Sequence, residues 1–104
     1  MNQFTHKLYT LLERDSDNCH IQLADASHPL FQAHFKNNPI LPAFIIIDLI
    51  EELFCAKVIE IKKAKFLKPI LPNDTIIYKR TDDLFEVYHA DKIVASLSVC
   101  TVAS

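Results

Sequence analysis

The segment PAFIIIDLIEELFCA, Pro42 to Ala56, decides how the rest of this chain must fold. Proline suits the first position of a helix, where its missing N–H leaves no bond unmade, and Ala43 to Ala56 continue the helix for about four turns. Apolar residues at 44, 45, 46, 47, 49, 50, 53 and 54 cover most of its circumference, so the helix must be largely enclosed. Its one polar stripe is Asp48, Glu51, Glu52 and Cys55 at i, i+3, i+4 and i+7 spacing. By periodicity alone Asp48 is the wet edge of a buried helix.

The flanking sequence supplies the enclosure. Phe4 to Arg14 and Asn18 to Asp25 suit two strands joined at Asp15 to Asn18, with a helical turn as the alternative start of the first. In CHIQLAD, Cys19, Ile21 and Leu23 share one face. Ala26 to Ile40, with Pro29 and Pro39, reads as an apolar loop in which Leu30, Phe31 and Phe35 seek burial and His28 shapes the turn before Pro29. Beyond the helix, Lys57 to Lys68 is a long strand and Pro69 to Asp74 a proline-bounded turn. Thr75 to Thr81, Leu84 to Ala90 and Ile93 to Val102 are strands joined at Asp82-Asp83 and Asp91-Lys92. The expected fold class is α+β: one central helix wrapped by a single antiparallel sheet of about five to six strands. Without repeat or linker, residues 1–104 are expected to form one domain.

The chain has 104 residues, a net charge of -2 and no glycine. Left-handed turn positions therefore fall to Asp17-Asn18, Asn37-Asn38, Asn73-Asp74 and Asp82-Asp83, whose short side chains tolerate that region. The charge excludes a polybasic nucleic-acid binder. No run approaches the ~20 apolar residues that span a bilayer, and MNQFTHKLYTLLERD lacks secretory-signal features, so a cytoplasmic protein with no membrane partner is expected. Cys19, Cys55 and Cys100 are too widely spaced for a metal site or disulfide framework and read as small core hydrophobes.

Two segments carry a resemblance. FQAHFKNNPILPAFIIIDLI resembles the signature of the beta-hydroxyacyl-(acyl-carrier-protein) dehydratases, in outline H-F-x-G-x-P-x-x-P-G with an acid fourteen positions after the histidine. Asp48 lies fourteen after His34. KAKFLKPILPNDTI is similar to the same family's x-A-R-F-K-R-P-V-x-P-G-D. Asn37, Ala43 and Asn73 stand where that pattern has glycine, and Glu52 where it commonly has glutamine.

The resemblance implies a hotdog fold and dehydration of a 3-hydroxyacyl thioester to the trans-2-enoyl thioester, without metal or other cofactor. His34 is then the base at C2 and Asp48 the acid for the 3-hydroxyl. Desolvation by Ile45, Ile47 and Leu49, with like charge at Glu52, favours a protonated Asp48. Glu52 either reinforces that or admits water and repels substrate. The N–H of Ala43 is the first donor at the helix N-terminus and suits the thioester oxygen. The resemblance also implies a homodimer, or a higher assembly of dimers, pairing His34 and Asp48 across subunits, with Phe35, Leu41, Phe44 and Ile45 lining the acyl tunnel. The substrate rides on an acidic acyl carrier protein or on CoA. Lys36, Lys62, Lys63, Lys65 and Lys68 either dock that carrier or protect a long edge strand. A hotdog thioesterase and a non-catalytic thioester-binding protein are the competing readings.

Overall fold

The computed structural model describes residues 6–33 and 37–103; His34, Phe35 and Lys36 lie outside them. Six strands, β1 (Tyr9–Arg14), β2 (Asn18–Leu23), β3 (Ala56–Phe66), β4 (Thr75–Thr81), β5 (Leu84–His89) and β6 (Lys92–Ala103), form one antiparallel sheet in the order β1-β2-β4-β5-β6-β3. Helix α2 (Ala43–Phe54) buries Ile45, Ile46, Leu49, Ile50 and Leu53. Facing them, Cys19, Ile21 and Leu23 are buried, as are Ala95, Leu97 and Val99 on β6. Alternation in these strands turns every second residue inward. The expected helix-in-sheet architecture is what forms.

The helix is tied to several strands. Tyr78 on β4 donates its hydroxyl to the Ile46 carbonyl at 2.9 Å; its phenol is fully buried, which pushes its pKa well above the usual tyrosine range. Arg14 on β1 donates to the Leu53 carbonyl at 2.8 Å, placing a cation at the negative end of the helix. The buried Cys19 thiol lies 3.8 Å from that same carbonyl.

Three local readings need correction. The loop expected from Ala26 to Ile40 contains a short helix, α1 (Pro29–Ala33). The Nδ1 of His28 accepts the Leu30 N–H at 3.0 Å, capping that helix, while Nε2 meets the His6 carbonyl at 2.7 Å. Leu30 and Phe31 are fully buried beneath it.

Cys55 is not a core residue. It is exposed and left-handed, with φ 50° and ψ 48°, and its N–H returns to the Glu51 carbonyl. One residue thus ends α2 and starts β3, a C-cap usually given to glycine. Cys100 is half-buried, so Cys19 alone fits the core expectation.

Of the expected left-handed pairs, Asn73 and Asp82 adopt positive φ. The turn before β2 instead closes on the Asp15 carboxylate, which accepts the N–H groups of Asp17 and Asn18; these bonds hold its pKa below the usual range. Between β5 and β6 the pair is Ala90 and Asp91, both at positive φ, one residue earlier than expected. That is the mirror-image turn suited to a two-residue hairpin.

Candidate active site

The two motif segments meet at the N-terminus of α2. The Leu41 N–H donates to the Ile70 carbonyl at 2.7 Å, joining the turn before the helix to the turn after β3. Pro42 holds φ -65° and ψ 149°, an extended conformation that points the chain into the helix without a side-chain cap. Its carbonyl accepts the N–H groups of Ile45 and Ile46 at 3.1 and 3.2 Å. Among the described residues the Ala43 N–H donates no hydrogen bond. It stands at the positive end of the helix with its donor capacity unspent.

Beside it lies a pocket of about 380 Å³, walled by residues 40–43 and Ile46 on one side and residues 66–70 on the other. Apart from Lys68, its lining side chains are apolar. The turn carrying the second wall is anchored by Asp74, whose carboxylate accepts the Leu71 N–H at 2.9 Å and lies 3.6 Å from His89. Asp74 also accepts the Leu23 N–H through its carbonyl, fastening the turn to β2.

Of the tunnel candidates, Leu41 lines this pocket, whereas Ile45 is fully buried in the core and Phe44 is 45% exposed. Phe66, Leu67, Pro69 and Ile70 form the wall that sequence reasoning missed. Their signal was the apolar run around the prolines of KFLKPILP. Asp48 is half-buried on α2 outside that lining, one turn from Phe44 and one from Glu52.

Glu52 does not hang over Asp48 unattached. The Tyr9 hydroxyl on β1 donates to its carboxylate at 2.7 Å. Burial first, and this hydrogen bond second, push the Tyr9 phenol far above its ordinary pKa. Glu51 leans the other way and accepts the Val58 N–H at 2.7 Å. The two glutamates of the polar stripe therefore stitch the helix to β1 and β3. Lys62, Lys63, Lys65 and Lys68 are all exposed on or just after β3, which is an edge strand.

Similarity to known proteins follows the same outline. The ApeI-like family, described as ApeI dehydratase, matches residues 12–97. A 3-hydroxyacyl-[acyl-carrier-protein] dehydratase FabZ of Ehrlichia chaffeensis is 32% identical, over 49% of this chain and 43% of its own length. FabZ of Sulfurovum sp. is 33% identical, over 51% of this chain and 48% of its own. The chain thus spans about half the length of the curated relatives it matches. Among solved structures, the dehydratase heterocomplex ApeI:P from Xenorhabdus doucetiae aligns with a TM-score of 0.63 at 20% identity, covering 88% of this chain and 93% of that one. It shares the hotdog fold. With the motif segments joined at the head of the helix and the family match running through nearly every strand, the chain belongs to the ApeI-like dehydratase family.

Proposed function

We propose that this chain dehydrates 3-hydroxyacyl thioesters, carried on an acyl carrier protein or CoA, to trans-2-enoyl thioesters in fatty-acid or related lipid or polyketide biosynthesis. One observation carries the reading: the Leu41 to Ile70 hydrogen bond closes both motif segments around an apolar pocket beside the unspent Ala43 N–H. In the reaction His34 takes the C2 proton, the thioester oxygen gathers negative charge against the Ala43 N–H, and Asp48 protonates the departing 3-hydroxyl. The C2–H and C3–O bonds break and the C2–C3 double bond forms; the water leaves with the proton of Asp48, and the proton taken by His34 returns to Asp48 by exchange to reset the pair.

In this reading His34 of one subunit faces Asp48 of another, and the acyl chain enters the apolar pocket with Leu41 and Phe44 at its approach. Glu52, held by Tyr9, modulates the acid from one helical turn away. Edge strand β3 supports pairing, since Ile59, Ile61 and Phe66 on it are exposed. Pairing two copies there brings together two strands that each carry Lys57, Lys62, Lys63 and Lys65 against the single acid Glu60. The ApeI neighbour is itself a heterocomplex, so a different chain of the same fold with an acidic edge is the second reading of the partner. The exposed lysines favour an acidic carrier protein. Residues 1–104 then act as one domain. A cytoplasmic site of action accords with the absence, among the described residues, of any helix long and apolar enough to cross a membrane.

The test incubates the purified chain, alone and with any co-purifying partner, with a trans-2-enoyl carrier thioester. Enoyl absorbance and free thiol are followed together. Loss of absorbance without thiol is expected; thiol release establishes a thioesterase instead, and binding without either change establishes a non-catalytic protein.

A further inference from the structure

The outward face of the sheet carries a second depression, of about 230 Å³, lined by Lys63, Lys65, Leu84, Ser96 and Ser98. Strand register explains the set. Lys63 pairs with Ser98, which pairs with Leu84, and Lys65 pairs with Ser96; side chains of paired residues stand side by side on one face. That face is the outward one, because Ala95, Leu97 and Val99 of β6 are fully buried on the other. The register shift between Ile61 and Lys63 is what turns Lys63 outward. Strict alternation from Ile61 would have given that face to Lys62.

Two lysines and two serines therefore line one concavity of a chain whose net charge is -2. Among the described residues neither lysine is ion-paired, and the ion pairs there both involve histidine. The neighbouring acids by register are Glu60, opposite Cys100, and Glu86, opposite Ser96, and neither lines the depression. Ammonium and hydroxyl donors so grouped suit a compact anion with several acceptor oxygens.

We propose that this depression binds a phosphate group. The site stands on its own residues, while naming the ligand as the phosphate of the thioester's carrier rests on the dehydratase reading. Lys65 directly precedes Phe66, which pairs with the buried Ala95 and lines the apolar pocket, so the anion site and the acyl pocket lie on opposite faces of the sheet at the same end of edge strand β3. A phosphopantetheine arm and coenzyme A both bring phosphate to that strand end.

The test titrates the isotope-labelled chain at low salt with inorganic phosphate, with adenosine 3′,5′-bisphosphate and with pantetheine, following backbone amide shifts. Both phosphates are expected to move the amides of residues 63, 65, 96 and 98, less so as salt is added; pantetheine leaves them in place. Bisphosphate binding much tighter than phosphate identifies coenzyme A, and equal affinities identify the carrier-protein arm. Lys63→Gln with Lys65→Gln weakens phosphate binding about tenfold or more, whereas Lys63→Arg with Lys65→Arg retains it, with melting temperatures unchanged. No phosphate-dependent shift at these residues, or full affinity in the glutamine variant, overturns the proposal. Phosphate binding in a chain that fails the enoyl-thioester assay keeps the site and removes only the carrier assignment.

Discussion

The two ends of α2 are held in opposite ways. At the C-terminal end several groups are engaged: Arg14 takes the Leu53 carbonyl, Tyr9 takes Glu52, Glu51 takes the Val58 N–H, and Cys55 folds back on Glu51. At the N-terminal end the N-cap Pro42 makes no side-chain cap, and among the described residues Ala43 keeps its N–H beside an apolar pocket. A helix fixed at one end keeps the donors of its other end aimed without consuming them. In the proposed reading, anchoring and oxyanion binding then fall to opposite ends of one element.

The comparison breaks most readily at the proposed acid and base. Asp48→Asn and His34→Ala are each expected to lower turnover about 10²- to 10⁴-fold with the melting temperature kept, a loss that steady-state rates measure directly. Activity surviving both substitutions removes the site assignment. Next comes the wall of the open end. Ile70 is 2% exposed, and Ile70→Ala is expected to cost about 2–5 kcal/mol in a denaturant titration while enlarging the pocket.

The engaged side is probed by Tyr78→Phe. It removes the hydroxyl that meets the Ile46 carbonyl and is expected to cost about 1 kcal/mol in the same titration. The smallest effect at neutral pH is that of Tyr9→Phe, whose signature is alkaline. Tyr9 has a folded pKa raised above the ordinary value of 10.0, so its contribution is complete below that pH and is lost as pH rises toward the folded value. Unfolding followed above pH 10 should show a shallower fall in stability for Tyr9→Phe than for the parent.

Much of the fold could be read from alternation and from Pro42, because burial of Cys19, Ile21 and Leu23 or of Leu97 and Val99 follows from a period of two. Helix α1 was hidden for a physical reason: five residues are too few to show a helical period, and its cap is a histidine ring. Cys55 was misread because a chain without glycine must place its left-handed C-cap on an unsignalled residue. At the candidate site, the resemblance to the dehydratase signature pointed to Asp48 and Ala43, which periodicity alone did not. Spacing could not show that Glu52 is claimed by Tyr9, or that residues 66–70 close against Leu41, since both depend on sheet order.

The claim that the open end of α2 performs the chemistry is tested most directly by Ala43→Pro. Pro42 is already extended, the first helical position tolerates proline, and the substitution deletes one N–H with little else disturbed. Hydration of a trans-2-enoyl carrier thioester by this variant should proceed about 10²- to 10³-fold more slowly at saturating substrate, with an unchanged melting temperature. A rate equal to that of the parent protein would contradict the account.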